Sequence, residues 1–222
     1  MVLVILILFY REWKKNSRRP ATMIQFEIPE GFKSYGIDVS HHQGEIDWEL
    51  LFTSGDSIID FVYCKVTEGF HHVDSEWQNN QNRLKKRNIK VGAYHFFLPN
   101  KDPIQQANHF LMHYNHAENY LPPVIDVELE TDSDTELVNN VILWLDCVEK
   151  KISMRPIVYT SHYFYQTKFK DKLHGYKYWI ANYNTSPPGL EDTNIIFWQF
   201  TDKGHLEGIN EDVDLNYSKI LF

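Results

Sequence analysis

Two hydrophobic periods take turns along residues 33–222. Short runs rich in β-branched and aromatic residues predict strands at 33–40, 61–67, 90–98, 123–129, 156–160, 178–183 and 195–201, with a fainter one at 212–216. Helical spacing lies between the earlier runs. Asp47 is placed to cap a helix that starts at Trp48 and turns Leu50 and Leu51 inward. Residues 75–88 are polar and helix-compatible. Asp102 followed by Pro103 is a cap with a first-turn proline, and Ile104, Ala107, Leu111 and Tyr114 follow on one face. The clearest helix runs from about Asp134 to Ile152, with Leu137, Val141, Leu145, Val148 and Ile152 as its apolar stripe. A fifth helix is predicted over 162–172. After it only strands follow, joined by loops such as 184–192 with Pro187, Pro188 and Gly189. Five β/α units and three further strands predict a single α/β domain, an irregular TIM-like (β/α)5(β)3 barrel. An open doubly wound sheet is the alternative, but no glycine-rich phosphate loop supports it.

The strand period also selects candidate chemistry. In Pro123-Val124-Ile125-Asp126-Val127-Glu128-Leu129-Glu130 the apolar Ile125, Val127 and Leu129 share one face and pack on helices. Asp126 and Glu128 share the other face, the barrel interior. Ionisable groups there are costly unless paired, solvated or functional. A structural pair held by Lys or Arg is the competing reading, and no basic residue lies nearby in sequence. The first strand places Asp38 inward between Ile37 and Val39, and the last places Asp214 inward between Val213 and Leu215. First and last strands are neighbours in a closed barrel. The four carboxylates Asp38, Asp126, Glu128 and Asp214 are therefore expected to converge at the strand-end mouth, equipment suited to glycoside hydrolysis.

Composition narrows the partners. The formal net charge is −8, and residues 1–20 hold five basic residues against Glu12, so the body carries −12. An acidic body argues against nucleic acid, which needs clustered Lys and Arg. Six Trp, thirteen Tyr and fourteen Phe supply core, with a remainder suited to stacking on sugar rings. Cys64 and Cys147 read as free thiols in apolar stretches. Val2 to Tyr10 is a nine-residue apolar run, shorter than the roughly 20 residues a spanning helix needs. It is similar to the hydrophobic part of a signal peptide or anchor, and residues 1–25 are set apart as an N-terminal segment with scope for membrane association. The basic cluster behind it conflicts with export, which an upstream start would explain.

The segments YGIDVSHHQG (35–44), IDW (46–48), KVTEG (65–69), GAYHF (92–96), PVIDVE (123–128), VYT (158–160), WIANY (179–183), WQF (198–200) and VDLN (213–216) occur in order across residues 33–222. In these the chain resembles glycoside hydrolase family 25, the lysozyme-like muramidases. The resemblance implies a catalytic barrel over 33–222, with eight strands and five helices. It implies cleavage of the β-1,4 bond between N-acetylmuramic acid and N-acetylglucosamine in peptidoglycan. By the same resemblance Glu128 is the general acid and base, Asp126 orients the reacting 2-acetamido group, and Asp38 and Asp214 complete the site. Tyr94, Tyr159, Trp179, Tyr183 and Trp198 are implied substrate contacts, each of which is also readable as core. No cofactor or metal is implied. A monomer acting in the cell envelope after export is expected.

Competing chemistry finds less support. His41-His42 and His71-His72 are adjacent pairs, and neighbours on a strand face opposite ways, so a pair gives one ligand per face. His71-His72 is expected on a solvated loop. There is no HExxH and no GxSxG. A carbohydrate-binding barrel without catalysis is the alternative function, disfavoured by the presence of all four acids.

Overall fold

A computed structural model describes residues 28–54, 59–87, 89–114, 121–184 and 186–222. The N-terminal segment 1–25 lies outside them. Nine strands appear among the described residues: β1 (Ser34–Val39), β2 (Phe61–Glu68), β3 (His72–Val73), β4 (Lys90–Phe96), β5 (Val124–Asp126), β6 (Ile157–Ser161), β7 (Lys177–Ala181), β8 (Ile195–Gly204) and β9 (Val213–Ser218). The helices are α1 (Trp48–Thr53), α2 (Trp77–Lys85), α3 (Pro103–His113), α4 (Asp134–Ile152) and α5 (His162–Phe164). The sheet order is β1-β9-β8-β7-β6-β5-β4-β2-β3, and β1 pairs again with β2. Eight strands therefore close a barrel, with β3 an antiparallel flap on β2. The TIM-like fold expected from the sequence is the fold observed. No helix among the described residues is long and apolar enough to cross a membrane.

The strands from β1 to β8 in the barrel run parallel, while β9 is antiparallel to both β8 and β1. The short link from β8 to β9 holds no crossover helix, so the chain must return in the opposite sense. The reversal puts the first residues of β9, among them Asp214, at the barrel end where the parallel strands finish.

The alternation sorts side chains as expected. Ile37, Val39, Ile125, Val127, Val213 and Leu215 pack in the layer between sheet and helices. Phe61, Tyr63, Val124, Ile157, Tyr159, Trp179 and Phe197 fill the barrel interior. Gly92 shows how tight that interior is, because a Cβ there would run into the Tyr63 ring.

Capping follows the sequence. Asp47 accepts from Leu50 N, Asp102 from Ile104 N and Gln105 N, and Ser133 from Glu136 N. Leu137, Val141, Leu145 and Val148 of α4 are buried, and Ile152 is half-buried at its end.

Four local expectations change. Strand β5 stops at Asp126, so Glu128 sits in the following loop and Leu129 is 41% exposed rather than packed on helices. Ile104, in the first turn of α3, is also exposed. Leu50 is only half-buried, while Leu51 is buried in the core. The helix expected over 162–172 is a single turn, α5, followed by a π-turn at Tyr165–Phe169. The wider turn lets Phe164, Tyr165, Lys168 and Phe169 all be buried, with Lys168 Nζ reaching Asp134 and Glu130.

Candidate active site

The mouth of the barrel opens into a cleft of about 220 Å³. Asp38, Asp126, Glu128 and Asp214 all line it, although they come from β1, from β5 and the loop after it, and from β9. Tyr94, Tyr159, Trp179 and Tyr183 line it too. The structure brings together all four acids and four of the five aromatics singled out in the sequence.

Trp198 is the residue it does not bring in. It points from β8 to the outer layer, is 4% exposed, and packs against Phe32, Phe200 and Tyr217. Its Nε1 donates to Asn182 O at 2.7 Å. Strand parity decides this, because Gln199 takes the inward position and Trp198 must face out.

Asp38 is held by two amides. Asn216 Nδ2 donates to Asp38 Oδ2 at 2.8 Å, and Gln199 Nε2 donates to the same oxygen at 3.0 Å. Each amide is anchored at its other end. Trp179 Nε1 donates to Asn216 Oδ1 at 2.8 Å. The hydroxyls of Tyr159 and Tyr183 both donate to Gln199 Oε1 at 2.8 Å. Trp179, Tyr159 and Asn216 are buried, whereas the Tyr183 ring is 52% exposed at the rim.

Burial pushes the Asp38 carboxyl up to about 6, against the pull of the Asn216 and Gln199 hydrogen bonds, and Glu128 adds to the rise. Asp214 is pushed up to about 9, by burial first and then by the charges of Asp38, Asp202 and Glu128. Burial also lifts Asp126 well above the carboxylate range, helped by the charge of Glu128 and a hydrogen bond to it. Asp126 Oδ1 has no hydrogen-bond partner among the described residues. Among those residues, none of the four acids forms an ion pair with Lys or Arg. The structural-pair reading of Asp126 and Glu128 therefore loses its basis, and the cleft keeps protons near neutral pH.

Sequence reasoning did not single out Lys65, Gln199 or Asn216. All three lie in the segments that carry the family resemblance, KVTEG, WQF and VDLN. Lys65 lines the cleft at 6% exposure, its Nζ 2.7 Å from Glu68 Oε2 and 4.9 Å from the centre of the Phe96 ring. Its charge acts on Asp126 against the rise.

The histidines scatter. His95 is buried between Thr67 and Gln106 and stacks on Trp144, and burial drives its pKa down to about 3. His71 and His72 are exposed as expected, but His72 begins strand β3, paired with Glu68, rather than lying on a loop. His41 is tied to Asp74 at 2.7 Å, and His42 lines the cleft. Cys64 and Cys147 are free thiols.

Comparison with known proteins gives this geometry a family. Residues 37–209 match the model of Glycosyl hydrolases family 25. YegX of Escherichia coli K12 is 34% identical over 201 residues, which cover 89% of this chain and 74% of YegX. The autolytic lysozyme of Clostridium acetobutylicum is 30% identical over 182 residues, covering 82% of this chain and 54% of that one. A family 25 glycosyl hydrolase from Bacillus anthracis superposes with a TM-score of 0.77 at 29% identity, over 86% of this chain and 91% of its own. The chain belongs to glycosyl hydrolases family 25 and is a glycoside hydrolase.

Proposed function

We propose that the barrel over 33–222 is a peptidoglycan N-acetylmuramidase that cleaves the β-1,4 bond between N-acetylmuramic acid and N-acetylglucosamine. The observation that carries this reading is the convergence of Asp38, Asp126, Glu128 and Asp214 on one cleft where, among the described residues, none of them is ion-paired to Lys or Arg and the lining Lys65 is paired to Glu68.

The chemistry follows from where the protons sit. Burial, and after it the charge of Glu128, lift the Asp126 carboxyl well above the carboxylate range. Asp126 is 7% exposed, has an unpartnered Oδ1, and suits the N–H of a 2-acetamido group. That hydrogen bond favours the Asp126 anion. Glu128 is the exposed member of the pair and acts as the general acid, donating a proton to the departing glycosidic oxygen. The acetamido oxygen closes on the anomeric carbon as that bond breaks. Glu128, now a carboxylate, takes a proton from the water that opens the intermediate. Asp38 adds negative charge where the sugar becomes cationic, and Asp214, its partner on β9, stands beside it with its proton held. Tyr94, Tyr159, Trp179 and Tyr183 present ring and hydroxyl surface to the glycan.

This activity acts on the cell envelope. The reading adds export, a monomeric barrel, and a means of membrane association in the apolar run at 2–10. The test is the clearing of a suspension of purified cell walls by the wild-type chain and by Glu128→Gln. The wild type is expected to release reducing sugar and clear the suspension, with the variant slower by about 10²–10⁴. Equal rates would remove the reading.

A further inference from the structure

We infer that Gln199 and Asn216 are positioning residues that act as one amide clamp on Asp38, with Tyr159, Tyr183 and Trp179 fixing which way each amide points. The inference deepens the hydrolase reading above and rests on it for its link to catalysis. Its structural content is independent of substrate.

A carboxamide has two ends of nearly equal shape and opposite polarity. Turned over, Gln199 or Asn216 would set a carbonyl oxygen against Asp38 Oδ2, oxygen facing oxygen. What forbids the turn is at the far ends. Gln199 Oε1 already accepts from two phenol hydroxyls, and Asn216 Oδ1 accepts from the Trp179 indole. An indole N–H can only donate, so the Asn216 orientation is imposed. Asn216 is then obliged to aim N–H at Asp38 Oδ2, and Gln199 aims N–H at the same oxygen while its Oε1 accepts the two phenol protons. Gln199, Asn216 and Trp179 are at most 2% exposed, so water does not compete for these bonds.

The surroundings of Asp38 otherwise oppose its charge. Asp214 faces it from β9, Asp126 and Glu128 face it from the end of β5, and Tyr94, Tyr159 and Tyr183 feel its charge. These groups are anionic or neutral, and Lys65, which also lines the cleft, is ion-paired to Glu68. Burial works against the anion as well, and the two amides are what favours it. The clamp keeps an aspartate usable as a carboxylate inside an acid-rich, half-closed cleft. It also runs to the rim, since the exposed Tyr183 ring carries the hydroxyl that anchors Gln199.

The experiment titrates Asp38 directly, by side-chain carboxyl ¹³C NMR of Asp-labelled protein, with Asp38→Asn to identify the signal. Gln199→Met keeps the length and removes the donor. Its Asp38 midpoint is expected to rise by about one pH unit, the size of one lost amide bond to a carboxylate. Tyr159→Phe removes one anchoring hydroxyl with little change of shape and is expected to shift the midpoint the same way by less. The double variant Tyr159→Phe/Tyr183→Phe frees Gln199 to turn and is expected to approach Gln199→Met. The acidic limb of kcat/KM on cell walls is expected to move with the NMR midpoint. An unmoved midpoint in both Gln199→Met and the double phenylalanine variant overturns the clamp, as does an activity loss equal at every pH. Wild-type protein that shows the clamp by NMR and leaves cell walls intact overturns only the hydrolase reading.

Discussion

Asp38 and Asp214 are direct partners across the antiparallel β1–β9 pair, and both line the cleft. Two acids on facing strands with no cation between them cannot both ionise cheaply. Asp214, without the amide donors that Asp38 has, is the one driven up to about 9.

This relationship makes stability depend on pH. A folded-state pKa of about 9 against an ordinary 3.8 means the folded chain binds more protons than the unfolded chain between those values. The contribution of Asp214 is therefore full below pH 4 and is lost as pH rises toward 9. Asp214→Asn is expected to flatten that decline, narrowing the Tm difference between pH 5 and pH 8 by about 3–6 °C. Calorimetry across the range checks it. Hydrolysis by the same variant is expected to fall, so stability and activity part company.

Activity itself is expected to have an acidic limb at about pH 6, where Asp38 takes up a proton. Below it, negative charge beside the developing sugar cation is lost and kcat/KM falls about tenfold per pH unit. Rates on cell walls between pH 4 and pH 9 test this. A plateau that continues down to pH 4 would remove Asp38 from the role.

Asp126→Asn tests the division of labour between the two β5-end acids. The amide keeps the shape and loses the anion that receives the acetamido N–H. A drop in kcat of about 10²–10⁴ is expected, with KM changed far less. The variant should also be at least as stable as wild type, because a buried and repelled carboxyl is gone. A deficit confined to KM would assign Asp126 to binding alone.

How much of this was legible in the sequence depends on what each position answers to. Period-two alternation placed Asp38, Asp126 and Asp214 correctly, because one face of each strand meets the helices and the other the barrel interior. The same rule carried too far at Leu129: β5 ends at Asp126, and alternation has no force beyond the last ladder bond. Glu128 reaches the cleft from a loop whose path depends on Val127 N bonding to Tyr159 O. The π-turn after α5 was hidden because it answers to Lys168 meeting Asp134 and Glu130, partners more than thirty residues away. Gln199 and Asn216 were invisible as site residues because amides have no charge pattern, and their side-chain partners come from three different strands and a loop. Trp198 sat in a family-like segment beside Gln199, and resemblance alone does not say which of two neighbours faces in.

The two tryptophans Trp179 and Trp198 turn that last distinction into a measurement. Both are buried on adjacent strands, and Trp198 pairs with Ile180, the residue after Trp179. Trp179 lines the cleft and holds Asn216. Trp198 lies outside it, bonded to Asn182 O and packed on Phe32 and Tyr217. Trp198→Phe keeps a ring in the outer layer but leaves the Asn182 carbonyl without this donor, so it is expected to cost about 1–3 kcal/mol of stability. Its kcat/KM at a temperature where the fold is intact should stay within about twofold of wild type. Trp179→Phe loses a donor to the residue that grips Asp38, so kcat should fall and the acidic limb of the rate profile should rise. If Trp198→Phe instead moves that limb while Trp179→Phe leaves it in place, the assignment of inner and outer faces on β7 and β8 is reversed.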